Sequence, residues 1–241
     1  MSRRRWLILI PVVALVALVG GPWVYINLIR DDPPARLTLD DATTPTTAGD
    51  GAVDGTGSTT TTAGVGTSEG IEGAWSVSTG SQAGYRVKEV LFGQDSEAVG
   101  RTTGVTGTMD ISGTTVTTTE VVVDMTTVAS DEDRRDGQFH GRIMDTATFP
   151  TATFTLSEPI DLGSVPADGD VVTHTVTGDL TLRGVTNPVT FELTARRNGA
   201  TIEANGSIAV DFDDFQIPDA SGGPASVGRD GELELLLVFT R

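Results

Sequence analysis

The feature that most constrains this chain is a long register of period-two alternation broken by tight-turn residues. In Val172–Leu182 one face reads Val172, His174, Val176, Gly178, Leu180, Leu182, and the other reads Thr173, Thr175, Thr177, Asp179, Thr181. Such alternation is what a strand with one buried and one wet side requires. Val189, Phe191, Leu193 and Ala195 continue it. After Asn198-Gly199, the set Ile202, Ala204, Gly206, Ile208, Val210, Phe212 alternates with polar or small neighbours. Asn-Gly between two such runs predicts a hairpin, because both residues tolerate positive φ. Weaker runs lie at Trp75–Thr79, Gly84–Leu91, Val105–Ile111, Val116–Met125, Thr153–Leu156 and Glu232–Thr240, with turn chemistry at Ser112-Gly113, Asp168-Gly169 and Asp230-Gly231. About nine strands follow, and only Asp131–Ile143 reads as irregular or briefly helical. Short connections and one-sided patterning imply an antiparallel all-β domain, either a barrel or a sandwich. Inward-facing Gly107, Gly178, Gly206, Ala195 and Ala204 leave room for a cavity, although small residues also mark bulges and strand crossings.

Two other stretches differ in kind. Trp6–Ile29 holds no charged side chain, and as a helix it is long enough to cross a bilayer. Arg3, Arg4 and Arg5 precede it, so the positive-inside bias keeps the N-terminus in the cytoplasm and sends the remainder outward. The run exceeds the apolar core of a signal peptide and lacks an evident cleavage site, which favours an uncleaved anchor. Residues 31–70 are rich in Thr, Gly, Ala, Asp and Pro and poor in large apolar side chains, the composition of a disordered linker. The expected organisation is therefore a cytoplasmic stub and transmembrane helix over 1–30, a linker over 31–70, and a β domain over 71–241 in an extracytoplasmic compartment.

Composition excludes several chemistries. With 33 acidic against 16 basic residues the formal charge is −17, and one lysine, Lys88, offers nothing to a phosphate backbone, so nucleic acid is not a partner. The absence of cysteine removes thiol nucleophiles and thiolate metal sites. His140 and His174 lack metal-ligand spacing, and no phosphate loop or nucleophile elbow occurs. His174 falls on the apolar face of its run, where an interior histidine is expected. The cluster Asp131–Asp136 reads as a solvated turn or helix start, and Asn205-Gly206-Ser207, a glycosylation pattern, falls within a strand. No cofactor, metal or catalytic residue is called for.

Three segments carry a family resemblance. Val176-Thr177-Gly178-Asp179-Leu180-Thr181-Leu182-Arg183-Gly184-Val185-Thr186-Asn187-Pro188-Val189 is the most specific. The second is Arg135-Asp136, Phe139, Met144-Asp145 and Phe149-Pro150-Thr151-Ala152-Thr153-Phe154; the third is Trp75-Ser76-Val77, Tyr85-Arg86-Val87-Lys88 and Val105-x-Gly107. Together they resemble the YceI-like polyisoprenoid-binding proteins over about 170 residues. Glu89 stands where relatives often have His, Asn187 where they have Lys, and Asp213–Val227 is longer and more irregular than the family pattern. The resemblance implies an extended eight-stranded antiparallel barrel, lipocalin-like in shape, that accommodates an isoprenoid lipid such as a quinone or polyprenol. On that reading Phe92, Phe139, Met144, Phe149, Phe154, Leu180, Leu182, Phe191, Phe212 and Phe215 line the barrel or close one end. Two other functions remain open: a surface interaction module with a filled core, and an enzyme acting on an isoprenoid with Asp145 or His174 as acid or base. A homodimer is compatible with the sequence.

Overall fold

In a computed structural model, residues 33–43, 70–223 and 225–241 are described. The apolar segment 6–29 and most of the expected linker lie outside these residues. Among the described residues, no helix is long and apolar enough to cross a membrane.

Among the described residues, thirteen strands build one antiparallel sheet that closes on itself. In chain order they are β1 (Gly73–Val77), β2 (Gln82–Leu91), β3 (Gln94–Thr102), β4 (Val105–Ser112), β5 (Thr115–Asp124), β6 (Ala129–Ser130), β7 (Thr151–Leu156), β8 (Ile160–Asp161), β9 (Val171–Leu182), β10 (Val185–Asn198), β11 (Thr201–Asp211), β12 (Ala225–Val227) and β13 (Asp230–Thr240). The ring runs β1-β4-β5-β7-β9-β10-β11-β13 and returns to β1. β2 extends the line of β1 and β3 that of β4, so β13 pairs with β1 near its C-terminus and with β2 near its N-terminus. The eight-stranded barrel expected from the sequence is present.

Turn chemistry fixes the register. The β2–β3 hairpin turns at Phe92-Gly93 and the β9–β10 hairpin at Arg183-Gly184, with φ positive at all four residues. That is the backbone of a two-residue turn matched to strand twist. The β10–β11 hairpin forms where expected but one residue later. Asn198 pairs with Thr201, so the turn is Gly199-Ala200, and only the first of these has positive φ. Outside the barrel, β9 and β10 present a threonine ladder, with hydroxyl contacts Thr173–Thr194, Thr177–Thr190 and Thr181–Thr186. This is the wet face the alternation predicts.

One barrel end is plain, bounded by the β4–β5 and β10–β11 turns and the segment before β9. The other end is elaborate. There lie the β2–β3 hairpin tip, a short helix α1 (Asp133–Gln138), a π-helical turn Phe139–Ile143, and the loop between β11 and β13. Buried Phe139 and Met144 project from this helical cap into the core. Phe139 stacks on Tyr85 with ring centroids 5.1 Å apart.

Residues 33–43, expected to belong to a free linker, instead lie along the outside of the barrel. Arg36 pairs with Glu232, the Pro34 carbonyl accepts from Arg86, the Ala35 carbonyl from Arg101, the Leu37 carbonyl from Asn205, and the Leu39 carbonyl from Arg196. Beneath this strap, outward-facing charges are taken out of water. Arg86 (6 % exposed) donates from Nε to Glu234 (4 % exposed) at 2.7 Å, and Arg196 donates from Nε to buried Glu203 at 2.6 Å. Leu37 is buried, as are outward-facing Leu236 and Val238 of β13. A composition poor in large apolar residues misses this docking because backbone carbonyls, the charged side chains Arg36 and Asp40, and one leucine supply it.

Candidate functional site: the barrel interior

The inward sets of the strands enclose a cavity of about 730 Å³. This is within the size range of small-molecule sites. It extends along the barrel from Phe92, Ala225 and Val227 at the elaborate end to Leu162, Pro166 and Val172 at the plain end. Most of the wall is aliphatic or aromatic. Two clusters of buried side chains meet around it, one centred on Val176, Leu180, Phe191 and Phe212 and the other on Met109, Ile111, Leu237 and Phe239.

The cavity opens at one end. The lining residues that are exposed are Phe92, Glu132, Arg134 and Gly222, and all four sit at the elaborate end. Polar groups gather just inside this mouth. Tyr85 and Glu89 of β2 face inward, and the Arg135 guanidinium of α1 lies 3.5 Å from Glu89. Arg135 is also paired with Asp131. Burial pushes the Tyr85 phenol up to about 12, against a smaller opposing effect of Arg135. The phenol is therefore a neutral hydrogen-bonding group at any physiological pH.

Of the ten residues expected to line the barrel, Phe92, Phe139, Met144, Phe154, Leu180, Leu182, Phe191 and Phe212 line this cavity. Phe215 is buried in the core but does not reach it, and Phe149 packs by Gly184 and Arg183 on the outside of the β9–β10 turn. Those two positions are corrected. Phe149 comes from the loop before β7, where no alternation predicts its side. Phe215 belongs to the irregular turn after β11, which buries its ring in the cluster that also holds Phe139, Met144 and Phe212.

The smallest inward residues play distinct parts. Ala204 and Ala195 line open space. Gly178 is covered instead: a Cβ there would meet the Phe154 ring and, at 2.5 Å, the Thr155 carbonyl. Phe154 in turn packs edge-on to Phe191, centroids 5.6 Å apart. His174 lines the cavity toward the plain end. Asp145 sits in a turn at φ 48°, its carbonyl accepting from the Thr148 and Phe149 amides, and is no part of the cavity wall. Among the described residues no three His, Asp or Glu side chains converge in a group that could hold a metal ion.

Sequence reasoning missed Tyr85 and Arg135 as cavity groups, and the aliphatic plain-end lining of Met109, Val116, Val121 and Leu237. The signal was present for β2, whose alternation places Ala83, Tyr85, Val87 and Glu89 on one face. Arg135 carried none, since its position depends on how α1 folds back over the barrel.

The sequence pattern of the YceI-like domain matches residues 75–239. A UPF0312 protein of Yersinia pestis (strain Pestoides F) is 38 % identical over 126 residues, covering 48 % of this chain and 58 % of the relative. Protein YceI of Escherichia coli O6:H1 is 37 % identical over 115 residues, covering 44 % and 54 %. The chain thus spans about half the length of these curated relatives. Among solved structures, a polyisoprenoid binding domain from Saccharophagus degradans implicated in plant cell wall breakdown superposes with a TM-score of 0.57 at 20 % identity, covering 69 % of this chain and 97 % of that one. That likeness is one of fold.

Proposed function

The chain belongs to the YceI-like family, and we propose that its barrel is a carrier that holds a polyisoprenoid-type lipid, a quinone or polyprenol, at an extracytoplasmic membrane surface. The observation that carries this reading is the long, mostly apolar cavity with Tyr85, Glu89 and Arg135 gathered near its mouth. An isoprenoid tail offers apolar surface and nothing else, so its binding rests on removing that surface from water at about 25 cal/mol per Å². Tyr85, Glu89 and Arg135 stand where a quinone carbonyl or a polyprenol hydroxyl would lie once the tail is inside. The printed description of the Saccharophagus domain, a polyisoprenoid binder, supports the same ligand class.

The N-terminal apolar segment Trp6–Ile29, with its preceding arginines, supports membrane anchoring of the barrel. Anchoring raises the local concentration of a lipid-binding domain at the bilayer that holds its ligand.

The test is native mass spectrometry of the full chain purified from its host membrane, followed by solvent extraction. A stoichiometric mass increment extracting as an isoprenoid is the expected result. An apo mass that stays unchanged after incubation with menaquinones and polyprenols would defeat the proposal.

A further inference from the structure

The strap has a direction. Its first contacts, Pro34 to Arg86 and Arg36 to Glu232, are toward the cavity mouth, and its last, Leu39 and Asp40 to Arg196, are toward the plain end. The described chain therefore begins, at Pro33, at the mouth-side end of the strap. Ile29, the last residue of the apolar N-terminal segment, is only four residues before Pro33, and four residues reach at most about 14 Å.

That reach selects one end of the barrel. From Arg86 to Leu91 is five residues of strand, so the β2–β3 tip projects about 17 Å beyond the start of the strap on the mouth side. From Glu232 to Thr240 is eight residues, so the plain end lies about 26 Å away in the opposite sense. Because barrel strands tilt by about 35–45°, these distances shrink to about 13 Å and about 20 Å along the barrel axis, so the leash lets the tip reach the bilayer and holds the plain end clear of it.

The tip is built for such contact. Phe92 is 47 % exposed and Val90 is 40 % exposed, and Phe92 also lines the cavity. Phe92 adopts φ 52°, a left-handed backbone that is costly for a bulky residue, where Asn or Gly would suit the turn better. Exposed Val165 and Val171 at the plain end offer comparable apolar surface, but the leash keeps them from the same membrane.

We propose that residues 33–43 are a rigid mooring that seats the barrel mouth-down on its own bilayer, with the Phe92 hairpin in the headgroup layer and the cavity opening directly to membrane lipid. This rests on the reading of Trp6–Ile29 as a membrane anchor. It differs from a loosely tethered carrier, in which the barrel has no fixed orientation.

The absence of cysteine makes the test clean, because any introduced thiol is unique. Asp95→Cys near the hairpin tip and Ser164→Cys at the plain end, both exposed positions, are labelled with an environment-sensitive fluorophore in the full chain. The proteins are reconstituted into phosphatidylcholine vesicles carrying a small fraction of headgroup-quencher lipid. Flotation with the vesicles, resistant to carbonate, first establishes anchoring; failure at this step overturns the anchor reading and this proposal with it, while leaving lipid binding by the barrel to its own test. In anchored protein, strong quenching at position 95 and little at 164 is expected. Inserting a ten-residue Gly-Ser spacer between Asp32 and Pro33 should reduce the quenching at 95 severalfold. Equal quenching at both positions, or stronger quenching at 164, would overturn the mouth-down arrangement. Quenching at 95 that ignores the spacer would overturn the mooring role of the strap.

Discussion

Gly178→Ala adds one methyl group and should cost more than its size suggests. The new Cβ would meet the Phe154 ring and stand 2.5 Å from the Thr155 carbonyl. The ring can swing toward the cavity, but the carbonyl belongs to β7, whose register with β9 pairs Thr155 with Asp179 and Leu156 with Gly178. Relief therefore requires the strands to separate locally. Overpacking of this kind costs about 1–3 kcal/mol. With a urea dependence of about 2 kcal/mol per molar, a 2 kcal/mol loss moves the unfolding midpoint down by about 1 M. Equilibrium urea unfolding followed by circular dichroism measures it. The companion variant Gly178→Ala/Phe154→Leu relieves the ring contact and leaves the carbonyl contact, so it should recover only part of the loss. A midpoint within about 0.2 M of wild type, which at that slope is less than about 0.4 kcal/mol, would refute the packing argument. Full recovery in the double variant would show that the ring alone carries the cost.

Further expectations concern the strap, the mouth and the cavity. Arg86→Met takes from buried Glu234 its closest cation but leaves Arg101 at 3.1 Å and Arg36 at 3.7 Å, so a destabilisation of about 1.5–3 kcal/mol, the worth of a charged hydrogen bond, is expected in thermal or urea unfolding. Glu232 is held below the usual carboxylate range, first by its hydrogen bond from Arg36 and against some burial, so its contribution to strap docking is present above the unfolded-state value and fades as pH falls through the lower folded value. Protection of the amides of residues 35–39 against hydrogen exchange, corrected for the intrinsic pH dependence, should fall there and not between pH 6 and 8. In a Tyr25→Phe chain, Tyr85 is the sole tyrosine, and its phenolate absorbance should appear near pH 12. Because an unfolded tyrosine ionises near 10, stability should fall between about pH 10 and 12, where the unfolded chain binds fewer protons.

What the sequence revealed depended on how each element is held. Strands β9, β10 and β11 stand between a wet exterior and an apolar interior, so their alternation was clear and their pairing followed. Strand β3 was not anticipated: Gln94–Thr102 buries Ala98 and Val99 in succession, and Arg101 turns outward to meet the strap. Its two faces are both partly covered, which erases the period. Similarly, the strap is read as linker from composition because its docking uses main-chain carbonyls offered to Arg86, Arg101 and Arg196, which no hydropathy pattern records. Phe154, Phe191 and Phe212 were identified from alternating runs, whereas Phe239 lines the cavity from such a run and was not among the residues expected. Tyr85 was legible in the alternation of β2, whereas Arg135 required the three-dimensional placement of α1 over that strand.

The account's central claim is that the barrel interior holds an isoprenoid tail by burying it, and a chain-length series tests this most directly. Displacement of a fluorescent lipid probe would be measured with quinones of increasing tail length, on the wild type and on Ala204→Trp, which places an indole in open cavity space. Each buried isoprene unit removes five carbons from water at about 0.8 kcal/mol per CH₂, so affinity should rise by at least about tenfold per unit until the cavity is full, then level off. In Ala204→Trp the levelling should come at a shorter tail. An affinity independent of tail length, or unchanged by the indole, would contradict the claim.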